Sequence, residues 1–283
     1  TVGCIPSKAL IHAADEFHKV AAFASGASPL GISAAAPGID LAKTVQWKDG
    51  IVKRLTGGVG GLLKKAGVTV ISGTARFRDG KTVVVRTPDG ERRVRADNIV
   101  IATGSAPVER DHLTFGGDAI SSTGALALET VPERLAIVGA GYIGLEIGTA
   151  FAKLGAKVTV VEAEKRILPR WDEALTRPVA ARLAKLGVDV HLACRATGRN
   201  DDGLAVESED GGARTIACDE VLVTVGRRPR TRAIGLDELD LTMSGAFIEV
   251  DDKCRTSMRG VFAIGDVTGE PMLAHRAMAQ GEM

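Results

Sequence analysis

The sequence has almost no charge imbalance and no long apolar run. Its 36 Lys and Arg residues against 35 Asp and Glu give a formal net charge of +1. No strong electrostatic field therefore favours nucleic acid or a membrane surface. No apolar segment is long enough to span a bilayer as a helix. We expect a cytoplasmic globular protein whose partners are small molecules or other proteins.

Cysteines are also few, and they are widely scattered. None of the four forms a Cys-x-x-Cys pair or a His/Cys cluster with metal-ligand spacing, which indicates neither a zinc site nor a disulfide framework. We therefore expect no bound metal. The four are Cys4, Cys194, Cys218 and Cys254.

Hydrophobic residues make up 45% of the 283 positions, enough for a sizeable core and about two domains. In the first half, helical patterns cover Pro6–Phe23 and Leu41–Ala66. The cluster Gly57-Gly58-Val59-Gly60-Gly61 in the second of these could bind phosphate, but no strand precedes it and no Gly-Lys-Ser/Thr follows. Short strands are predicted at Val68–Ser72, Thr74–Phe77, Lys81–Arg86, Glu91–Arg95 and Asn98–Ala102.

The second half shows a clearer alternation of strands and helices. Arg134–Val138, Ile143–Leu154 and Lys157–Val161 predict a β-α-β unit. A helix over Asp172–Leu186 continues the alternation, and the polar, glycine-broken stretch from residue 196 to 217 indicates an antiparallel meander. Further strands are predicted at Val188–Leu192, Val221–Val225, Phe247–Val250 and Val261–Gly265, with a final helix from Leu273.

A Gly-x-Gly-x-x-Gly motif lies between the first strand and the helix of this unit. Gly139 permits the tight turn, Gly141 allows the backbone to approach a pyrophosphate, and Gly144 allows close packing of the helix on the strand. The pyrophosphate would lie at the helix N-terminus. Glu162 follows about 20 residues later, where a carboxylate accepts hydrogen bonds from the ribose and repels a 2′-phosphate. NAD is therefore favoured over NADP, although an exposed glutamate closing a strand is the alternative.

Residues 1–8 read T-V-G-C-I-P-S-K. A flavoenzyme that passes electrons between a nicotinamide and a disulfide needs one thiolate against the flavin and a second sulfur. Cys4 could supply the thiolate, and a lysine beside a thiolate stabilises the anion. The alternative is a buried thiol before a turn, with Ser7 as a helix N-cap.

This segment resembles the one that carries the flavin-side sulfur in the pyridine-nucleotide disulfide oxidoreductases, most closely the dihydrolipoamide dehydrogenases. In that family the motif is Cys-x-x-x-x-Cys, so the resemblance implies a second redox cysteine before residue 1 and a chain that is an interior piece of a longer enzyme. The matching segments are Cys4–Lys8, Ala102–Ser105, Gly139–Glu146, Val225–Pro229 with Val261–Val267, and Met272–His275.

The resemblance implies an α/β fold with two Rossmann-like three-layer (ββα) nucleotide-binding domains, of the type that binds FAD and NAD(P). The first would be incomplete. Residues 1–126 would be the FAD-binding domain without its N-terminal part, and residues 127–250 the NAD-binding domain. Residues 251–283 would return to the FAD and central domains, and the interface domain of the homodimer would be missing.

The resemblance also implies roles for individual residues. Cys4 would be the thiol under the flavin, Lys8 would lie near the flavin N5 edge, and Glu146 would pair with Lys8 across the domain boundary. The further implied FAD contacts are Ala75, Thr103, Gly104, Ser105, Asp266, Met272, Leu273, Ala274 and His275. The implied NAD contacts are Gly139, Ala140, Gly141, Tyr142, Ile143, Gly144, Glu162 and Gly226. Taken alone, Asp266 could equally be a turn residue after a glycine.

The implied reaction is oxidation of dihydrolipoamide, carried by the acyl-carrier of a 2-oxo acid dehydrogenase complex, with electrons passing through Cys4 and FAD to NAD⁺. The alternatives are a mercuric-reductase-like or other disulfide reductase of the family, and a non-catalytic nucleotide-binding fragment. The family's base is a histidine followed by proline, and none of the five histidines has that neighbour. We therefore assign no base, and we expect the chain alone to lack dihydrolipoamide oxidation activity.

Overall fold

A computed structural model describes residues 2–26 and 28–283. Its α-helices begin and end close to the predicted positions. They are α1 (Cys4–Ala24), α2 (Leu41–Lys65), α3 (Ser122–Ala125), α4 (Tyr142–Lys153), α5 (Glu173–Lys185) and α6 (Ala274–Glu282).

The strands are short and fall into several small sheets. In the first half they are β1 (Thr74–Asp79), β2 (Thr82–Thr87), β3 (Gly90–Arg95), β4 (Ile99–Ile101) and β5 (Ser105–Pro107). They continue as β6 (Arg134–Val138), β7 (Lys157–Val161), β8 (Asp189–His191), β9 (Cys194–Asn200), β10 (Gly203–Ser208), β11 (Ala213–Ile216) and β12 (Glu220–Val223). The last are β13 (Arg227–Pro229), β14 (Met243–Ser244), β15 (Phe247–Ile248) and β16 (Val261–Ala263).

The chain divides into two compact units. The first comprises residues 1–58 and 107–226, and its centre is a parallel sheet in the order β12-β6-β7-β8. Both faces of this sheet are covered, which explains why its strands are continuous apolar runs rather than alternating ones. Strand residues such as Ile137 and Val158 pack into a core with the helices. Their neighbours Ala136 and Val161 pack with the antiparallel meander β9-β10-β11 on the other face. This is the predicted three-layer ββα arrangement.

Helix α4 packs closely against the central strands because it carries glycines on that face. A Cβ added at Gly148 would lie 2.5 Å from Ile137 Cδ1, so a larger residue there would displace the end of the Ile137 side chain. On its other side, α4 meets α1, whose Leu10 and Ala14 are buried in the same core. Phe151, which is fully buried, is the largest side chain of that core.

The second unit comprises residues 59–106 and 227–283. It contains the antiparallel sheet β1-β2-β3 and the parallel pair β4-β16. Its core is formed by buried residues such as Phe77, Ile101 and Ile248. Strands β5 and β13 pair at the boundary of the two units in sequence.

Two segments in the first half of the chain, residues 68–72 and the glycine cluster, bear on predictions of local structure. The predicted strand at Val68–Ser72 is wrong: α2 ends at Lys65, Gly67 turns the chain with a positive φ of 72°, and residues 68–72 belong to none of the described strands. Val68 and Val70 are accordingly exposed. The glycine cluster, residues 57–61, lies inside α2, not at the start of a helix where phosphate binds.

The predicted domain limits after residues 126 and 250 stay a prediction. No helix among the described residues is long and apolar enough to cross a membrane.

An ion pair joins the first residue of β6 to the residue that precedes β12, and it makes the dependence of stability on acid pH testable. Arg134 donates to Asp219 from its backbone N–H at 2.8 Å and from its guanidinium at 2.6 Å. These donors hold the pKa of Asp219 below its usual value. A carboxylate with a lowered folded-state pKa stabilises the fold above its unfolded pKa, about 3.9, and loses that contribution as pH falls through the folded value.

We therefore expect Asp219→Asn to lower the free energy of unfolding at pH 7 and to flatten its decline between about pH 5 and pH 2. Urea unfolding at a series of pH values measures both effects. Asp201→Asn, in the exposed turn between β9 and β10, is the control for loss of one negative charge. An unchanged slope in the Asp219 variant would show that the pair contributes nothing to acid stability.

Candidate functional site

The glycine motif forms a tight turn from β6 into α4. Gly139 has a φ of +102°, and a Cβ there would lie 2.7 Å from the carbonyl oxygen of Thr224. A Cβ at Gly144 would lie 2.5 Å from both Gly139 O and Thr224 Oγ1. At Gly141, the residue that caps α4, a Cβ would meet nothing within 4 Å. The first and third glycines are thus required by the protein's own packing, and the second faces open space.

Thr224 supports this turn from the neighbouring strand β12. Its Oγ1 lies 3.2 Å from Val138 O and 3.1 Å from Gly139 O, and its backbone N–H donates to Val138 O. Val138 O already accepts the Thr224 N–H, so the hydroxyl is free to donate to Gly139 O, the carbonyl of the turn itself. Sequence reasoning missed this residue, because a threonine just beyond an apolar strand carries no distinctive signal.

Glu162 is nearly buried at the carboxyl end of β7, and it braces the glycine turn. Its Oε2 accepts the Ala140 backbone N–H at 2.6 Å, and its Oε1 accepts the Glu164 N–H at 2.9 Å. The alternative of an exposed glutamate is therefore wrong. Each carboxylate oxygen has a second lone pair, so Glu162 can still accept hydrogen bonds from a ribose.

The residues of this turn fit a dinucleotide. Nothing lies within 4 Å of a Cβ built at Gly141, so a pyrophosphate can approach the backbone there, at the positive end of the α4 dipole. A buried carboxylate stands on the adjacent strand at the ribose position. Tyr142 and Ile143 form the first turn of α4, where Tyr142 is 39% exposed. Their contacts with nucleotide stay a prediction, as does the nicotinamide-side role of Gly226, which has a φ of +127°.

Cys4 begins α1 and its side chain is exposed, whereas the other three cysteines are buried and free. The alternative of a buried Cys4 is therefore wrong. Ser7 is not the N-cap; it lies in the first turn and its hydroxyl donates to Cys4 O at 3.2 Å. A helix N-terminus favours negative charge, so the position suits a thiolate. Burial raises the pKa of Cys218, which keeps that thiol protonated and unreactive.

Lys8 lies one turn after Cys4 in the sequence of α1 and forms an ion pair with α4. Its Nζ is 2.7 Å from Glu146 Oε2, so the predicted pairing of these two residues is present. The structure places both residues in the first unit. Their catalytic roles stay predictions.

In the second unit, Ser105 is the centre of a hydrogen-bond network. Its hydroxyl donates to Asp266 Oδ2 at 2.5 Å and accepts from Arg227 Nε at 2.7 Å. Its carbonyl accepts from Arg227 and Arg230. Thr103 is tied to the same segment, since its Oγ1 donates to Arg230 O at 2.8 Å. Arg227 is a residue whose part in this network the sequence did not predict.

This network lies just beyond the carboxyl ends of β4 and β16, which are adjacent and parallel. Ligands of α/β proteins bind beyond the carboxyl ends of parallel strands, so the position fits a cofactor contact. Gly104 has a φ of +70° in the turn after β4, and Asp266 lies in a short 3-10 helix after β16. Asp266 is thus a turn residue that also carries a defined partner.

The remaining predicted FAD contacts are spread over the second unit. Ala75 lies in β1 opposite Val85. Met272 is buried, Leu273 caps α6, and Ala274 and His275 open that helix. The helix is joined to the 3-10 turn by Arg276, which donates to Gly269 O at 2.6 Å and to Thr268 Oγ1 at 2.8 Å. Within residues 2–26 and 28–283, no cluster of His, Cys, Asp and Glu could hold a metal ion.

Comparison with known proteins shows which family this chain resembles. A family model described as pyridine nucleotide-disulphide oxidoreductase matches residues 1–281. Dihydrolipoyl dehydrogenase of Pseudomonas aeruginosa is 56% identical over 283 residues, which are 100% of this chain and 61% of that protein. The Geobacillus stearothermophilus dihydrolipoyl dehydrogenase is 43% identical over 286 residues, 100% of this chain and 60% of that protein. The chain thus spans about three fifths of the length of these relatives.

Solved structures give the same fold. LpdA from Mycobacterium tuberculosis matches with a TM-score of 0.86 at 27% identity, over 98% of this chain and 61% of that one. A Cu(II) complex of the HOCl-induced flavoprotein disulfide reductase RclA from Escherichia coli matches with a TM-score of 0.84 at 27% identity, over 100% of this chain and 60% of that one. The predicted fold class is confirmed.

The glycine turn predicts different outcomes for two single-methyl substitutions. Gly144→Ala places a Cβ against backbone and should lower the free energy of unfolding by about 1–3 kcal/mol. Gly141→Ala meets open space and should cost at most about 1 kcal/mol, but it should weaken NADH binding at least about tenfold. Urea unfolding and titration calorimetry measure the two quantities. Unchanged NADH affinity in the Gly141 variant would contradict a pyrophosphate at this turn.

Proposed function

The chain belongs to the pyridine nucleotide-disulphide oxidoreductase family, and from this we propose that it carries the redox thiol and the nucleotide-binding residues of a dihydrolipoyl dehydrogenase. The observation that supports this most directly is the placement of Cys4. It is an exposed thiol at the first turn of α1, and Lys8 on the same helix is held by Glu146. Helix α1 packs on α4, whose first turn carries the dinucleotide motif.

The proposed reaction converts dihydrolipoamide and NAD⁺ to lipoamide, NADH and a proton. The two substrate thiols lose two electrons and two protons, and the new bond is the disulfide of lipoamide. FAD, when bound, accepts the electron pair and delivers it to NAD⁺ as hydride. The chain's own contribution is to present Cys4 at a helix end that favours its thiolate and to supply a cation nearby in Lys8.

The cofactor residues of each unit are consistent with this proposal. In the first unit the turn at Gly141 and the carboxylate of Glu162 would hold NAD. In the second, Ser105 and Asp266 would contact FAD. The remaining FAD and NAD contacts named from the sequence belong to the same proposal.

Three further properties extend the proposal. The substrate would be a lipoyl group on the acyl-carrier of a 2-oxo acid dehydrogenase complex, and the full-length protein would be a homodimer; both are supported by the family resemblance. A cytoplasmic location is supported by the four free thiols, because a reducing compartment keeps cysteines unpaired.

A second candidate is reduction of another disulfide. The similarity to a flavoprotein disulfide reductase from Escherichia coli, with a TM-score of 0.84, supports this second candidate function. The relatives of 56% and 43% identity favour lipoamide. Turnover of the full-length protein with dihydrolipoamide against glutathione disulfide distinguishes the two, since the second substrate would be used faster only by the rival.

We expect Cys4→Ser in the full-length protein to abolish NAD⁺ reduction by dihydrolipoamide, because serine cannot form the protein disulfide that the dithiol substrate would reduce. NADH binding, measured by calorimetry, should be unchanged. Cys218→Ala is the matched control, since its buried thiol takes no part in the chemistry. Turnover in the Cys4 variant within about tenfold of the unchanged protein would refute the assignment of the redox thiol.

Cofactor preference gives a second test. NADH should bind more tightly than NADPH by at least about tenfold, because the Glu162 carboxylate repels a 2′-phosphate. Glu162→Gln should narrow the ratio and Glu162→Arg should narrow it further or reverse it. Both variants also lose a backbone hydrogen bond to the turn, so the ratio of affinities is the quantity to compare, not either affinity alone. Glu129→Gln, an exposed acid elsewhere in the first unit, controls for net charge, and equal affinities in the unmutated chain would exclude the proposed role.

A further inference from the structure

Helices α1 and α4 are joined by two lysine–carboxylate pairs, only one of which belongs to the proposed site. Lys8 of α1 pairs with Glu146 of α4. Further along both helices, Asp15 of α1 pairs with Lys153 of α4. The order of charges is reversed in the second pair, so each helix contributes one cation and one anion to the two pairs.

The two pairs have the same spacing. Seven residues separate Lys8 from Asp15, and seven separate Glu146 from Lys153, which is two helical turns or about 10 Å of rise on each helix. The partners in each pair are separated by the same 138 positions in sequence. The two helices therefore run in the same direction over this stretch, and both pairs form in one register.

The charges of α4 make this register unique. In its sequence Y-I-G-L-E-I-G-T-A-F-A-K, Glu146 and Lys153 are the ionisable acid and base. A slip of α1 by one turn would set Lys8 and Asp15 opposite uncharged residues of α4, so that neither lysine–carboxylate pair could form. Apolar contacts between Leu10, Ala14 and the α4 surface are less selective, because small and branched side chains repeat along both helices.

Burial shows which pair holds the register. The Lys153 side chain is only 12% exposed, whereas Lys8 and Glu146 are 61% and 41% exposed. Exposed ion pairs contribute little, since water and salt screen them. A mostly buried ammonium group that loses its carboxylate is strongly destabilising. The Asp15–Lys153 pair therefore resists displacement of α1, and the Lys8–Glu146 pair forms where that register places it.

We propose that Asp15 and Lys153 are positioning residues that fix the register of α1 on α4, and so set Lys8 against Glu146 and Cys4 at its place in the first unit. Neither residue touches the reacting groups. The relevance of this placement to catalysis rests on the proposed function, but the placement itself does not.

Zero-length carbodiimide cross-linking of the chain tests the placement directly, because it joins an amine to a carboxylate only when they are in contact. The variants are Asp15→Lys, Lys153→Asp and the double variant with both changes. Mass spectrometry would measure the amide formed between Lys8 and Glu146. Two other contacts serve as internal controls: Lys19–Glu16 at 2.8 Å within α1, and Lys165–Glu209 at 3.0 Å elsewhere in the first unit.

Each single variant should lower the Lys8–Glu146 yield at least about tenfold while leaving both control cross-links, because the cost of an unpaired buried charge exceeds that of the exposed pair. The double variant should restore the yield, since it re-forms the pair with its charges exchanged. An unchanged yield in the single variants, or no recovery in the double variant, would overturn the proposal.

A variant that fails to fold would lose the control cross-links as well. Asp15→Asn, nearly the same shape without the charge, then provides the measurement, with an expected fall in the same yield and the controls retained. Full yield in Asp15→Asn would overturn the proposal. None of these measurements requires FAD, NAD or turnover, so their failure is distinct from failure of the Cys4→Ser experiment.

Discussion

The close approach of α4 to the central sheet is the constraint on which the first unit depends. Two glycines on one side of the helix, Gly144 and Gly148, leave no room for a Cβ. Because the helix lies so near the strands, its first turn can meet the turn after β6 and its opposite side remains free for α1. The glycine turn and helix α1 thus share one supporting element, and the position of each is fixed by the same packing.

The two units present their chemistry in a similar way. In each, polar groups follow the carboxyl ends of parallel strands, where the backbone leaves the sheet and its N–H groups and carbonyls need new partners. In the first unit Thr224 and Glu162 provide those partners around the glycine turn. In the second, Arg227 donates to the carbonyl of Ser105 and Thr103 donates to that of Arg230. Glu162 and Thr103, two of the residues expected to touch cofactors, therefore also complete the backbone's own hydrogen bonding.

Much of this could be predicted from the sequence because the signals are local. The strands β6 and β7 are buried on both faces and are visible in the sequence as apolar runs. The glycine motif between β6 and α4 predicts the tight turn and the close packing of the helix. The Val68–Ser72 segment has the composition of a strand but pairs with no strand among the described residues, which no local pattern reveals. Asp15 and Lys153 were missed for a similar reason: two charges 138 positions apart become partners only through the packing of two helices. Ser105 and Arg227 likewise meet through pairing of strands distant in sequence.

Glu162 accepts two backbone hydrogen bonds, so an acidic residue at this position can have a structural role as well as a role in binding nucleotide. An acid at the end of the second strand of a β-α-β unit is commonly interpreted as a residue that binds the ribose hydroxyls. Here it also closes the glycine turn, through the N–H groups of Ala140 and Glu164, before any nucleotide arrives. Redesign of such a protein toward a phosphorylated cofactor would therefore have to install a new acceptor for those two N–H groups, either a neutral side chain or an ordered water. One residue, Glu162, would thus determine both the choice of cofactor in the proposed function and the rigidity of the glycine turn.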